Sequence, residues 1–359
     1  MTTPIVDSAT LSAAAAAIAT HTALGLDTEF MRERTYYAQL CLLQLGTAEL
    51  AVCVDPLALE SLDVLRPLMS NVAICKILHA ARQDLEVLVP VVGTLVNVFD
   101  TQVAAALAGF PAQVGYADLV RDILGVDLHK SQTRTDWSRR PLSAAQIDYA
   151  LDDVRHLPPL REQLSERLVR LGRRAWFDEE MAQIGLESLV VDPEQAWLRI
   201  KAFGDLDADR QRLARHLGAW RERRAMSSDR PRGWILTDAA LRDLVFQVPR
   251  DMAGLKRLLP LPDGIRDHSG TQLIEIIGAA AIPEPPAPLP QRRRPDPEQL
   301  DKVAHLADIT RRISTELQVA PEILATRRDM ERLAGGHRDG PPLRGWRREA
   351  VGTELLKAL

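Results

Sequence analysis

The chain has 359 residues and a formal net charge of −4 at neutral pH; 46% of its residues are apolar and 26% are charged. This length allows two or three domains, and the composition is that of an ordinary globular protein with ample apolar residues for a packed core. No uninterrupted apolar run approaches the roughly 20 residues of a membrane span, so we exclude a helical membrane protein and expect no membrane partner.

The start of the chain and its cysteines indicate a cytoplasmic protein. The alanine run at 13–17 has no basic segment before it, so we predict a helix there and not a signal peptide. Cys41, Cys53 and Cys75 lie in strand-like runs without CxxC spacing. They are predicted to be buried free thiols of a reducing compartment, which excludes a disulfide framework and a zinc site.

Three strands are predicted to follow the opening helix. The stretch 24–30 has an apolar lead-in and then β-formers, which is typical of a buried strand. Strands at 36–45 and 49–55 extend it into a meander broken at Gly46 and Pro56.

Helices and strands then alternate, and Asp100 is placed to cap one of the helices. The predicted elements are a helix at 59–69, a strand at 73–78, a helix carrying Asp84, a strand at 96–99 and a helix at 101–108. A meander followed by this alternation predicts an α/β domain with a mixed sheet.

Beyond Pro141 the pattern is helical. Ser143 and Gln146 form a capping box that starts a helix, and the proline pair 158–159 should kink or interrupt that helix. Amphipathic helices follow, and the proline-rich stretch 282–290 is predicted to be an extended spacer between domains. The remainder, 297–359, is again helical in pattern.

Asp27 and Glu29 are candidates for a metal site. Side chains two apart on a strand point to the same face, so the two carboxylates would lie side by side. Adjacent carboxylates repel each other unless a cation lies between them, and hard divalent ions take such oxygen ligands. Because the pattern Asp-x-Glu also occurs at solvated strand ends, the hypothesis needs further carboxylates.

Two other places in the chain supply them. Asp84 follows an apolar strand and lies in the first turn of a helix, where it could equally complement the helix dipole. Tyr149 and Asp153 are four residues apart and so share a helix face. Each pattern is common by itself, and their order along the chain is what makes them informative.

That order resembles the three motifs of the DEDDy family of 3′→5′ exonucleases, which share a ribonuclease H-like fold. Within this family the segments 27–37 (Asp-Thr-Glu-Phe-Met-Arg-Glu-Arg-Thr-Tyr-Tyr) and 130–142 (Lys-Ser-Gln-Thr-Arg-Thr-Asp-Trp-Ser-Arg-Arg-Pro-Leu) are similar to ribonuclease D. Later, 217–221 and the helix start at 236–238 are similar to the helicase-and-RNase-D C-terminal (HRDC) domain, and 320–325 with 345–349 resemble a divergent second copy.

The resemblance implies an α/β exonuclease domain, with a mixed sheet flanked by helices, followed by two small all-α HRDC-type domains. The expected boundaries are 1–205 for the exonuclease domain, 206–281 for the first HRDC domain, 282–294 for a linker rich in proline and arginine, and 295–359 for the HRDC-like second domain. Truncation near Ile282 is then expected to spare hydrolysis of a short oligonucleotide.

By the same resemblance Asp27, Glu29, Asp84 and Asp153 would hold two divalent ions, Mg²⁺ or Mn²⁺, for in-line displacement at phosphorus. One ion would activate a water and the other would stabilise the leaving 3′-oxygen. Tyr149 would orient the attacking water, since a phenol with a pKa near 10 is a poor base.

Five further residues are weaker candidates for substrate binding. Phe30 could contact the terminal base or pack in the core, and His79 could orient a carboxylate or be an ordinary core histidine. Lys130, Trp137 and Arg139 could contact the phosphate backbone or pack their own segment.

The expected partner is RNA with a free 3′ end, by family resemblance a tRNA precursor or other small stable RNA, acted on by a monomer. Arginine clusters after residue 121 favour a polyanionic partner and would add contacts to phosphates, although some of them could simply be solvated helix faces. The clusters are 139–140, 173–174, 221 with 223–224, 292–294 and 347–348. Two alternatives stay open. One is a DNA 3′→5′ exonuclease, and the other is a non-catalytic RNA-binding scaffold, which the intact acidic set disfavours.

Overall fold

The computed structural model describes residues 3–128, 135–184, 191–200, 203, 206–258, 263–280 and 296–359. By contacts the chain forms two compact units. The first unit comprises Met1–Met31, Gln39–Leu189 and Pro295–Leu359, and the second unit comprises Arg32–Ala38 and Val190–Arg294.

A five-stranded mixed sheet is the centre of the first unit. Its strands are β1 Ala23–Met31, β2 Gln39–Gly46, β3 Ala51–Val54, β4 Cys75–Leu78 and β5 Val98–Asp100. The strand order is β3-β2-β1-β4-β5. The pairs β1–β2 and β2–β3 are antiparallel, and the pairs β1–β4 and β4–β5 are parallel. The predicted mixed sheet is therefore confirmed.

Helices cover both the sheet and its ends. Before residue 190 the first unit has the helices α1 Ser8–Ile18, α2 Arg66–Met69, α3 Arg82–Val92, α4 Thr101–Leu107, α5 Tyr116–Leu124, α6 Ala144–Arg155, α7 Leu157–Arg170 and α8 Arg174–Gln183. Asp100 caps α4 by accepting from the Gln102 and Val103 amides, and Ser143 and Gln146 form the predicted capping box of α6. The proline pair opens α7 one residue after the C-cap of α6, so the predicted interruption is also confirmed.

One predicted helix is mostly absent. In place of a helix at 59–69 the structure has a 3₁₀ turn, Asp63–Leu65, followed by the four residues of α2. Pro67 explains the difference, because a proline has no N–H to donate to the carbonyl four residues earlier. The preceding chain is also turned, with the Asp63 amide donating to the Ser61 hydroxyl at 3.0 Å.

The second unit is helical. Its elements are a 3₁₀ helix, Pro193–Arg199, and the helices α9 Ala208–Ser228, α10 Arg232–Ile235, α11 Asp238–Gln247, α12 Met252–Leu258 and α13 Asp263–Ala279. Apolar residues of these helices form a core of their own, with Leu213, Leu217 and Leu244 fully buried. The link from β1 to β2 belongs to this unit, since the Tyr36 hydroxyl donates to the buried Glu222 at 2.5 Å.

The C-terminal helices belong to the first unit. They are α14 Pro297–Leu317, α15 Pro321–Leu324, α16 Arg327–Ala334, α17 Gly345–Arg347 and α18 Thr353–Lys357, with a 3₁₀ turn at Pro341–Leu343 and a π-helical turn at Arg348–Gly352. The Trp346 ring stacks on Trp176 with centroids 4.4 Å apart, and its indole N–H donates to Glu180 at 2.7 Å. Buried residues of these helices share one apolar cluster with Phe99 and Phe177.

This division differs from the expected boundaries in two places. Residues 295–359 lie in the same unit as the sheet, and 32–38 and 190–205 lie in the helical second unit. Both differences arise from contacts between residues far apart in sequence. The assignment of 295–359 to the HRDC class stays a prediction, and the expected linker 282–294 falls outside the described residues.

Among the residues that the structure describes, none lies in a helix long and apolar enough to cross a membrane.

Candidate active site

The site is built on β1, where Gly25, Asp27 and Glu29 alternate and therefore face the same way. Gly25 pairs with Gly46 of β2. A Cβ on Gly25 would lie 3.0 Å from the Val154 carbonyl oxygen of α6, and one on Gly46 only 2.7 Å from it. The paired glycines thus allow the end of α6 to approach the sheet directly beside the two acids.

This approach brings Asp153 of α6 to the β1 carboxylates. Oxygens of Asp27, Glu29 and Asp153 all lie within 4.8 Å of one another, and we call these three residues the acidic cluster. Each is partly exposed, so the cluster is open to solvent on one side. The distance suits shared coordination of a divalent cation by carboxylate oxygens.

Asp84 stands just outside this cluster, in the first turn of α3. It is buried, and its Oδ1 accepts from the Thr28 hydroxyl at 2.5 Å. The start of α3 is fixed by Asp100, whose carboxylate accepts from the Ala80 and Ala81 amides at 3.1 and 2.8 Å. Asp100 therefore both caps α4 and places the helix that carries Asp84.

Burial and mutual repulsion raise the pKa of every acid in the site. Burial, then the charges of Asp153 and Asp84, raise the pKa of Glu29 to about 8. Burial and the charge of Asp152 raise the pKa of Asp153 to about 7. Burial and the neighbouring acids also raise the pKa of Asp27, while burial raises that of Asp84 to about 6 against the lowering effect of the Thr28 hydrogen bond. Such a set binds a cation to offset its own repulsion.

A cavity of about 320 Å³ opens onto the cluster. Its wall consists of Asp27, Thr28, Glu29, His79, Tyr116, Tyr149, Asp153 and Leu157. Burial and the charge of Asp153 raise the pKa of Tyr149, so its hydroxyl keeps its proton. The Tyr149 ring also stacks near Trp137, with centroids 6.2 Å apart.

The structure separates the weaker substrate-binding candidates. His79 lines the cavity, but both ring nitrogens are engaged, with the Thr101 hydroxyl at 2.9 Å and the Val114 carbonyl at 3.0 Å. Burial lowers the pKa of His79, which favours the neutral ring. Phe30 is partly buried beside Glu29 and is not among the residues that line the cavity.

The segment before α6 packs against the fold. Trp137 is 4% exposed, in an apolar cluster with Leu42 and Leu151, which matches the packing alternative for this residue. Arg139 is exposed and pairs with Asp136 at 3.1 Å. Lys130 lies outside the described residues.

Many of the arginines expected to meet a polyanion are engaged within the protein. Arg140 binds Asp55 with two nitrogens at 2.6 and 2.8 Å, and buried Arg173 donates to the Leu107 carbonyl at 2.7 Å. Arg347 pairs with Glu180. In each of the pairs 139–140, 173–174 and 347–348, at least one arginine is therefore bonded within the protein. The sequence pattern does not reveal this structural role.

Sequence reasoning missed three kinds of residue in the site. The Gly25 and Gly46 pair, the hydroxyl of Thr28 and the ring of Tyr116 all contribute to it. Thr28 lies inside the Asp-x-Glu motif, so its polar side chain was a visible signal. The glycine pair and Tyr116 act only through strand pairing and packing, for which the sequence holds no local signal.

Comparison with known proteins agrees with this geometry. Residues 2–169 match the family described as 3′-5′ exonuclease, and residues 210–277 match the HRDC domain. Ribonuclease D of Jannaschia sp. (strain CCS1) is 41% identical over 97% of this chain and 93% of its own length. Ribonuclease D of Acidiphilium cryptum (strain JF-5) is 40% identical over 92% of this chain and 86% of its own.

The fold agrees as well. The crystal structure of Escherichia coli RNase D, described as an exoribonuclease involved in structured RNA processing, is 30% identical and superimposes with a TM-score of 0.85 over 99% of this chain and 97% of that one. The motifs, the fold and the relatives over nearly the full length thus converge, and the chain belongs to the ribonuclease D family of 3′→5′ exoribonucleases.

Proposed function

We propose that this protein removes nucleoside 5′-monophosphates one at a time from the 3′ end of RNA, with Asp27, Glu29, Asp84 and Asp153 as the ligands of two divalent ions. The acidic cluster supports this proposal most directly. Its three carboxylates have raised pKa values, have oxygens within 4.8 Å of one another, and line a cavity.

The donor set fits a hard divalent cation. All candidate ligands are carboxylate oxygens, which Mg²⁺ and Mn²⁺ both accept, and no cysteine or histidine belongs to the cluster. When bound, such ions supply an activated water and charge stabilisation on the leaving oxygen. The partly buried, mutually repelling acids would provide the negative charge that holds these ions.

The remaining residues of the cavity wall position the substrate. Tyr149 keeps its proton and offers a hydroxyl beside Asp153, suited to orienting a water at the terminal phosphodiester. Tyr116 donates its hydroxyl to the Asp152 carbonyl at 3.0 Å, and its ring lies edge-on to His79 with centroids 5.5 Å apart. These rings give the cavity a rigid wall that a terminal nucleotide can contact.

The RNA class follows from the family and the accessory helices. We infer that tRNA precursors or other small stable RNAs with a single-stranded 3′ tail are the substrates, that the enzyme acts as a monomer, and that it works in the cytoplasm. In support, Cys41, Cys53 and Cys75 are buried and unpaired, as in a reducing compartment. Exposed arginines would add phosphate contacts that weaken with salt.

A 5′-labelled RNA with a single-stranded 3′ tail, and the DNA of matched sequence, test the proposal. We expect a ladder that shortens from the 3′ end of the RNA with Mg²⁺ or Mn²⁺, disappears with EDTA and is much weaker on DNA. Equal or faster shortening of DNA would contradict the RNA assignment, because the 2′-hydroxyl would not be used. Salt-sensitive binding without cleavage would indicate a scaffold instead.

A further inference from the structure

Gln44 is a buried polar residue that the fold leaves without a partner. It lies in the middle of β2 and is 0% exposed, and neither its amide oxygen nor its amide nitrogen has a hydrogen-bond partner among the described residues. Burying an amide unpaired is destabilising, because its hydrogen bonds to water are lost and not replaced. An apolar residue of the same size would avoid this cost, so the amide needs an explanation.

Strand pairing places this amide beside the acidic cluster. Gln44 lies directly opposite Asp27 on β1, and opposite residues of an antiparallel pair point to the same face with Cβ atoms about 4.5–5.5 Å apart. Two residues along, the Gly25–Gly46 pair shows that this face is the one covered by α6. Gln44 is therefore enclosed between the sheet and α6, next to a candidate metal ligand.

The cross-strand neighbour of Gln44 on β3 is a poorer hydrogen-bond partner for the amide than the Asp27 carboxylate. On its far side Gln44 pairs with Cys53 of β3, whose thiol is at most a weak hydrogen-bonding group. Burial, with smaller effects from the charges of Asp153 and Asp27, raises the pKa of the Cys53 thiol to about 12 against the lowering effect of Arg155. Gln44 therefore lies beside the acidic cluster, whose carboxylate oxygens accept hydrogen bonds from an amide N–H.

We propose that Gln44 is a positioning residue, whose amide donates to the Asp27 carboxylate and holds it in the orientation that ligates a divalent cation. The two residues lie opposite each other on paired strands, at a separation that a glutamine side chain can span. A ligating carboxylate oriented in this way typically gains 10- to 100-fold in metal affinity. This inference rests on the proposed function, in which Asp27 is a metal ligand.

Calorimetric titration with Mn²⁺ alone, without RNA, tests this role of Gln44. The titration compares the full-length wild-type protein with the Gln44→Met variant. Met keeps the volume and removes both hydrogen-bonding groups. We expect the Kd for Mn²⁺ to rise 10- to 100-fold while the Tm of the metal-free protein changes little, because the substitution removes the hydrogen bond to Asp27 and the buried amide together. Leu45→Met is the matched control, because Leu45 is equally buried on the same strand and faces the other way.

The outcomes separate the inference from the proposed function. If wild type binds Mn²⁺ and Gln44→Met binds within twofold of it, the inference is wrong and the metal site stands. A lower metal-free Tm with a Kd unchanged by the substitution would assign Gln44 a packing role and overturn the inference. If wild type itself binds no Mn²⁺, the proposed site fails, and the inference fails with it. Should Gln44→Met not fold, Gln44→Leu makes the same removal and the same expectation applies.

Discussion

At the scale of single residues, the acidic cluster couples stability to pH. The pKa values of Glu29 and Asp153, about 8 and 7, lie above the ordinary 4.5 and 3.8 that they regain on unfolding. Between about pH 4 and pH 8 these two acids therefore hold more protons in the folded protein than in the unfolded chain, and their contribution to the free energy of unfolding falls as pH rises. This loss of stability at higher pH arises because the carboxylates of the cluster ionise close together and repel each other.

A divalent cation should relieve this loss of stability only where the acids are ionised. We expect Mg²⁺ to raise the Tm clearly at pH 8 and much less at pH 5.5, as measured by differential scanning calorimetry. Asp153→Asn should abolish most of the difference, whereas Asp308→Asn, in an exposed i,i+3 pair with Arg311, should leave it intact. The same Tm rise at both pH values would show that the cation binds somewhere other than at these acids.

At the scale of elements, the approach of α6 to the sheet depends on the paired glycines. In Gly46→Ala the new Cβ would lie 2.7 Å from the Val154 carbonyl, which is backbone and cannot turn aside. We expect α6 to shift, the free energy of unfolding to fall by about 1–3 kcal/mol, and cleavage to fall by at least tenfold because Asp153 moves with the helix.

Urea unfolding and turnover on a short oligonucleotide measure these two effects. Gly278→Ala provides the control, since a Cβ there meets nothing within 4 Å and the residue lies inside helix α13. Its stability should stay equal or increase slightly. Wild-type turnover in Gly46→Ala would show that α6 does not need this close contact.

The C-terminal helices should stabilise the sheet-containing unit. Trp346 is 4% exposed, stacks on Trp176 and is held by Glu179 and Glu180. We expect Trp346→Ala to lower the free energy of unfolding by about 3–5 kcal/mol, measured by urea denaturation. Trp234→Ala, at a site 56% exposed in the second unit, should change it by less than about 0.5 kcal/mol.

The same contacts change the expectation for a truncated chain. The sequence alone led us to expect that removing everything after Ile282 spares hydrolysis of a short oligonucleotide. Because α14 to α18 share an apolar cluster with Phe99 and Phe177, we now expect the truncated protein to lose stability and with it short-substrate activity. Full activity of the truncated protein at its normal Tm would show that this shared cluster is dispensable.

Much of the first unit was predictable because its signals are local. Alternation put Asp27 and Glu29 on one face, the i,i+4 spacing put Tyr149 beside Asp153, and Asp100 was visible as a helix cap. What escaped prediction depends on pairing between distant segments. The Gly25–Gly46 contact, the position of Gln44 opposite Asp27, and the burial of Trp346 against Trp176 follow only from tertiary contacts.

At the scale of the whole molecule, the arginines serve two purposes that composition does not separate. Arg173 and Arg221 are buried and tie segments together through the Leu107 and Leu236 carbonyls, and the more exposed Arg140 does so through Asp55. Because the net charge is −4, we expect RNA affinity to come from local exposed cations and from the divalent ions proposed at the acidic cluster.

The most direct test compares wild type with Asp27→Asn in the same Mg²⁺ buffer, measuring both release of nucleoside 5′-monophosphate and RNA affinity. Asn keeps the shape of the side chain and removes one charged ligand, so we expect turnover to fall by at least a thousandfold while the Kd for RNA changes less than threefold. Near-wild-type turnover in Asp27→Asn would contradict the account, since the reaction would not need the acidic cluster.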